Sequence, residues 1–191
     1  MGNNARYRGI TKGLLMPLLL LFYCVSIDQI SPLIVLALLF SFIGDVGLFI
    51  ADTHRSFYQK GSILSFALAH TFYTVYLLPT QASMLLIIIS FIGALLILLI
   101  FYFSVIHPLD SSIKGFLFLY ALVITIMATS AFLCVLYYQT IGSFVLFTGA
   151  IFFLFSDFLI SKQILLDNKK DELAIMISYI LAQFLLIIGI I

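Results

Sequence analysis

The chain has 191 residues, 64% of them hydrophobic and 9% charged, with a formal net charge of +1 at neutral pH. Soluble domains carry roughly 45–50% apolar and about 25% charged residues, and they need the charges for a wetted shell. Such a composition excludes a separate soluble domain, an ATP-binding module or a nucleic-acid surface, and calls for a bilayer as solvent.

Seven apolar spans follow one another, and together they predict an all-α, polytopic membrane bundle forming one transmembrane domain over residues 1–191. The first runs from Leu14 to Ile27 behind Arg6, Arg8 and Lys12; no small-x-small cleavage site follows it, so it reads as a retained helix. The second, Leu33 to Ala51, is introduced by Ser31-Pro32, a cap followed by proline at the first helical position. The third, Gly61 to Leu78, is closed by Pro79, and the fourth runs from Ser83 to Ile106. The fifth, Ile113 to Tyr137, has Asp110, Ser111 and Ser112 as candidate caps. The sixth is Ser143 to Ser161, and the seventh, Leu173 to Ile191, starts behind the negative pair Asp171-Glu172. Tyr23, Tyr76, Tyr137 and Tyr138 lie near span ends, where they take the interfacial role in a chain without tryptophan. Cys24 and Cys134 fall inside apolar runs and read as buried free thiols.

Charge placement tests the count. With seven spans all nine basic residues fall on one side: Arg6, Arg8, Lys12, Arg55, Lys60, Lys114, Lys162, Lys169 and Lys170. Splitting the long fourth span would divide them five against four. The positive-inside bias therefore predicts seven helices, a cytoplasmic N-terminus and an outer C-terminus.

Two acids interrupt apolar helices, Asp45 in FSFIGDVGLF and Asp157 in FFLFSDFLIS. A carboxylate at the bilayer centre costs at least about 2.5–3.5 kcal/mol on insertion scales, so such a residue marks a site more often than it merely packs. Measured along the helix, Asp45 lies about 9 Å and Asp157 about 6 Å inside the cytoplasmic ends of their spans, a common level from which both can reach one cavity. Gly44 and Ser156 precede them and allow close helix approach. Tyr120 and Tyr179 fall at a similar depth, and His70 and Gln183 deeper, at about 15 Å. Ser62, Phe66, His70 and Tyr73 share one face of the third span, and Glu172, Tyr179 and Gln183 one stripe of the seventh. A packed, hydrogen-bonded histidine is as good a reading of His70 as a catalytic one. For Tyr120, Tyr179 and Gln183 taken singly, packing is the better reading.

A weak internal echo links the two acids. GD is followed 25 residues later by His70 of LAH, and SD 26 residues later by Gln183 of LAQ, as in a parallel repeat of three helices. His54 and His107 lack ligand spacing, Asp28 and Asp110 read as helix-end solvation, and Asp52 with Arg55 reads as a weak surface pair. Two buried acids sharing one proton suit general acid catalysis and proton-coupled transport alike, and the residues alone do not separate the two.

The order of motifs resembles the YhhN family of membrane proteins, whose characterised animal members are lysoplasmalogenases. The stretches that carry the likeness are LALLFSFIGDVGLF (Leu36 to Phe49), GSILSFALAHTFYTVY (Gly61 to Tyr76), LYALVITIMATSAF (Leu119 to Phe132), GAIFFLFSDFLIS (Gly149 to Ser161) and SYILAQFLLIIG (Ser178 to Gly189). Family members are often described with eight helices, whereas the charge count here favours seven. The resemblance implies hydrolysis of the vinyl ether bond of 1-alkenyl lysophospholipids, with Asp45 and Asp157 as the catalytic pair. The candidate substrate-binding residues are Ser41, Gly44, His70, Tyr120, Ser156, Tyr179 and Gln183, and the chemistry requires neither a metal nor a cofactor. The expected partners are a lysophospholipid within the bilayer and the membrane lipids themselves, with oligomeric state left open. Arg55, Lys60, Lys114 and Lys162 are placed to meet a lipid phosphate, although setting topology is the stronger reading of these residues. The expected location is the inner membrane of a bacterium or the endoplasmic reticulum of a eukaryote. A carrier or receptor-like binder, and a hydrolase of another lysolipid, are the competing readings.

Overall fold

Every predicted span is helical. The computed structural model describes residues 3–51, 55–79, 81–109, 112–166 and 171–191, and among these it holds seven α-helices, one π-helical turn and no strand. The helices are α1 (Asn3–Ser26), α2 (Pro32–Ala51), α3 (Arg55–Leu77), α4 (Met84–Phe101), α5 (Lys114–Tyr138), α6 (Ile141–Leu166) and α7 (Glu172–Ile190), and the π turn is Tyr102–Ile106. Among the described residues five segments are long and apolar enough to cross a bilayer: Pro32–Ile50, Met84–Ile106, Lys114–Tyr138, Ile141–Gln163 and Glu172–Ile190. The chain is a multi-pass helical membrane protein.

Two helices fall short of that measure for different reasons. In α1 only Gly13–Ser26 is continuously apolar. Helix α3 has 23 residues, enough to span, but its apolar character is diluted by serines, threonines, tyrosines and His70. Several of those hydroxyls are satisfied along the helix itself. Ser62 Oγ donates to the Tyr58 carbonyl (2.8 Å), Thr71 Oγ1 to Ala67 (2.8 Å) and Thr74 Oγ1 to His70 (2.8 Å). Back-bonding of this kind lowers the cost of carrying a hydroxyl in an apolar medium.

The chain divides into two compact units, residues 1–76 and 77–191. In the first unit, α2 and α3 pack through small residues. A Cβ on Gly44 would lie 2.8 Å from the Phe66 ring, and one on Gly47 would collide with the Ser62 side chain. Ser65 Oγ donates to the Phe40 carbonyl at 2.7 Å, and the Phe40 and Phe72 rings stack at 5.6 Å. In the second unit, α6 and α7 pack still more closely. A Cβ on Gly149 would come within 2.8 Å of the Leu186 nitrogen, and one on Gly189 within 2.6 Å of the Leu146 nitrogen. Backbones approach this closely only where side chains are absent, the usual solution for helix pairs in lipid.

Several local expectations need correction. Helix α6 runs to Leu166 rather than Ser161. Helix α3 starts at Arg55 rather than Gly61. The reason is the same in both cases: charged residues flanking an apolar run remain good helix formers and extend it into the interface. Helix α5 is capped by Ile113 with no side-chain hydrogen bond. Asp110 and Ser111 lie outside the described residues, and the Ser112 side chain does not cap.

Tyr23 is fully buried; its hydroxyl oxygen accepts the Ser31 N–H at 3.0 Å and ties the α1–α2 turn. Cys134 is buried, but Cys24 is only half-buried. Ser83 does cap α4, accepting from the Leu86 N–H at 3.4 Å. The end of the fourth span is the π turn, closed by the His107 N–H on the Tyr102 carbonyl at 2.7 Å. The wider turn brings Ile106 round to the face that already carries Phe101 and Val105, where all three pack with Ala121 of α5.

Candidate active site

Both acids are buried, each within its own unit. Asp45, on α2, exposes 3% of its surface, and Asp157, on α6, 6%. Around Asp45 the sequence alternates small residues with large ones. Gly44 and Gly47 let the Phe66 and Ser62 side chains of α3 press onto α2 on either side of the acid. Ser41, one turn earlier, is fully buried, and its hydroxyl meets no hydrogen-bond partner among the described residues. The α3 stripe foreseen from spacing is an inward face: Ser62, Phe66, His70 and Tyr73 are all buried, His70 and Tyr73 completely. Gly44, expected to contact substrate, is occupied in packing against Phe66.

In the second unit the polar groups near Asp157 come from three helices. The Tyr120 hydroxyl of α5 donates to Asp157 Oδ2 at 2.5 Å, with both residues buried. Ser156 Oγ donates to the Ile175 carbonyl of α7 at 3.3 Å, and Ser178 Oγ donates to the carbonyls of Ala174 (2.7 Å) and Ile175 (3.1 Å). Tyr179 sets its ring edge-on to Phe153, one turn before Asp157, with centroids 5.5 Å apart. Gln183, one turn after Tyr179, is fully buried, so the α7 stripe also faces inward. Thus Tyr120, Ser156, Asp157 and Tyr179 gather in one unit, and Ser41, Gly44, Asp45 and His70 belong to the other.

The flanking residues are less uniform. Lys114 Nζ donates to the His107 carbonyl at 3.1 Å, which occupies it at the α4–α5 connection. His107 itself is exposed beside the Tyr102 ring at 6.0 Å. Lys162 is exposed and Lys60 half-buried, whereas Asp52, His54, Asp110 and the Arg55 side chain lie outside the described residues. Among the described residues no three His, Cys, Asp or Glu side chains gather to hold a metal ion. Sequence reasoning overlooked Ser65, Ser178 and Gly149. For Gly149 a signal was present, a glycine one turn before Phe153 and two before Asp157, on the face that turns to α7.

A family model of the YhhN family matches residues 7–190, nearly the whole length. The chain belongs to the YhhN family. No curated protein and no solved structure matches it. In this YhhN protein the GD and SD elements carry the two buried acids, and LAH and LAQ carry two fully buried polar side chains, His70 and Gln183.

Proposed function

We propose that this YhhN protein is a lysoplasmalogenase, hydrolysing the vinyl ether bond of 1-alkenyl lysophospholipids to a fatty aldehyde and a glycerophosphoethanolamine or glycerophosphocholine. The observation that carries the reading is the burial of Asp45 and Asp157 within apolar helices of a protein of this family. Vinyl ether hydrolysis needs a proton on the carbon beta to oxygen, stabilisation of the oxocarbenium-like cation so formed, and water at the alpha carbon. The resulting hemiacetal breaks to aldehyde and alcohol. One acid and one carboxylate suffice for this chemistry, by analogy with the pair of a glycosidase. Ser41, His70, Ser156, Tyr179 and Gln183 are proposed as lipid contacts.

The proposed topology is one transmembrane domain of seven spans with the N-terminus in the cytoplasm. It is supported by seven helices, by the 23-residue length of α3, and by the collection of all nine basic residues on one side. The vinyl ether of a membrane-bound lysolipid lies where glycerol meets the acyl region, so substrate enters from the bilayer.

The test is aldehyde release by purified protein from a 1-alkenyl lysophospholipid, with the saturated 1-alkyl ether and the 1-acyl analogue alongside. Only the alkenyl lipid can be protonated to an oxocarbenium ion, and turnover of it alone is expected. No turnover of any of the three by folded protein would overturn the reading in favour of another lipid or of transport.

A further inference from the structure

Within the second unit, α4, α5 and α6 meet at the π turn Tyr102–Ile106. Phe101, Val105 and Ile106 pack with Ala121 of α5, and Phe158 and Leu165 of α6 lie against the same cluster. The segments apolar enough to span end here at Ile106 and Gln163 and begin at Lys114, which makes this a membrane boundary. The basic side chains among the described residues of this unit are Lys114 and Lys162, and helical spacing turns both toward the π turn. Lys114 shares a stripe of α5 with Phe118 and Ala121, and Lys162 lies between Phe158 and Leu165 on a stripe of α6. Lys114 Nζ donates to the His107 carbonyl at 3.1 Å, which engages one of its three hydrogens and holds the ammonium beside the turn. The exposed His107 ring stands against the rings of Tyr102 (6.0 Å) and Phe103 (6.2 Å), and Tyr102 meets Phe118 (6.0 Å). From this rim an exposed apolar row, Ile92, Leu96, Ile100 and Phe103, runs along α4. The surface is distinct from the buried acid. Tyr120 and Asp157 follow or precede Ala121 and Phe158 by one residue, and so point about 100° away around their helices.

We propose that this rim binds an anionic diacyl phospholipid of the surrounding bilayer. Its phosphate lies against Lys114, Lys162 and the His107 ring, and its acyl chains follow the exposed row of α4. Charge complementarity selects the lipid. Two ammonium groups attract a headgroup of net negative charge, and they repel the choline or ethanolamine cation that a zwitterionic headgroup carries beside its phosphate. The apolar row selects a molecule with chains, which a free phosphate ester lacks. The π turn contributes by keeping the end of α4 packed on α5 and α6 as far as the boundary, so that three helices hold these groups as one rim. The occupant is a neighbouring bilayer lipid and not the single-chain lipid proposed for cleavage, so the site stands whether or not the protein is a lysoplasmalogenase.

Native mass spectrometry of the full-length protein tests the site, with the protein released from micelles that contain dioleoyl phosphatidylglycerol or dioleoyl phosphatidylcholine. Wild type is expected to retain phosphatidylglycerol at lipid concentrations where phosphatidylcholine is lost. Lys114→Gln and Lys162→Gln should each weaken that binding about fivefold, and the two together about 25-fold, the scale of one cation each at a lipid surface. The double variant Lys114→Arg and Lys162→Arg keeps the charge and should stay within about twofold of wild type. Lys60→Gln, in the first unit, should leave binding unchanged. Equal retention of the two lipids by wild type would overturn the proposal, as would a double glutamine variant that binds like wild type. An equal loss from Lys60→Gln would overturn it too, because binding would then follow net charge and not this rim. Glycerol 3-phosphate should not displace the lipid, and displacement would make the occupant a free phosphate ester. Circular dichroism reports folding. Should the glutamine pair unfold, the wild-type selectivity and the arginine pair still decide, since a folded arginine pair without preference for phosphatidylglycerol would overturn the assignment.

Discussion

At the scale of single residues, the cost of burying a polar group is what singles out the important positions. Asp45 and Asp157 sit in helices whose other side chains are largely apolar, and each is almost entirely buried. Replacing either by asparagine keeps the volume and most hydrogen-bonding capacity while removing the exchangeable proton. Asp45→Asn and Asp157→Asn are each expected to lower aldehyde release by about 100- to 10,000-fold, the range for losing a general acid or base. Circular dichroism and size-exclusion elution in detergent should be unchanged. An Asp157→Asn protein of wild-type rate would eliminate the paired-acid mechanism.

The two cysteines offer a simpler contrast. The Cys134 thiol is buried and donates to the Leu77 carbonyl at 2.9 Å, whereas Cys24 is half-buried. A small permeant alkylating reagent should therefore modify Cys24 first, as mass spectrometry of the partly labelled chain can establish.

At the scale of helices, glycine decides how close neighbours come. The added Cβ on Gly149 meets α7 backbone at 2.8 Å, and backbone cannot swing aside as a side chain would. Gly149→Ala should push α6 and α7 apart and cost about 1–3 kcal/mol, the scale of other overpacking changes. Gly93 of α4 provides the control, since an added Cβ there meets nothing within 4 Å. Gly93→Ala is expected to be neutral or to stabilise by up to about 1 kcal/mol through helix propensity. Thermal unfolding of both variants in one detergent separates these outcomes. Equal losses would mean that close α6–α7 packing contributes nothing. The π turn at the end of α4 follows a similar logic, because one widened turn brings Ile106 into the cluster with Phe101 and Val105.

At the scale of the molecule, the distribution of positive charge makes a topological prediction. In a variant lacking the native cysteines, Ile191→Cys should react with a membrane-impermeant thiol reagent added outside intact cells. Lys60→Cys should react only after permeabilisation. An eight-span arrangement would place the C-terminus inside and reverse the first result. The boundary between the compact units, at residues 76 and 77, also falls where the first member of the three-helix echo ends. Each unit contains one acid and one buried polar residue from the corresponding position, His70 or Gln183.

Much of this was legible in the sequence because a bilayer imposes simple rules. Hydropathy runs marked the helices, and the spacing of Ser62, Phe66, His70 and Tyr73 marked the inward face of α3, since a helical period turns directly into a side. The acids declared themselves by their cost in an apolar medium. Helix ends were less legible. Charged residues after Ser161 and before Gly61 continue the helix, and hydropathy falls before helicity does.

What the sequence by itself determined was the multi-pass helical class, the order of the helices, the two acids and the family likeness, all of them local or additive properties. Tertiary structure alone decided that Tyr120 donates to Asp157, that Phe66 fills the space above Gly44, and that α7 backbone lies against Gly149. It also turned Tyr23 inward to hold the α1–α2 turn. Each of these depends on which residues from distant stretches share one small volume, and on the direction of a short-range contact. Neither is encoded in the periodicity of a single helix.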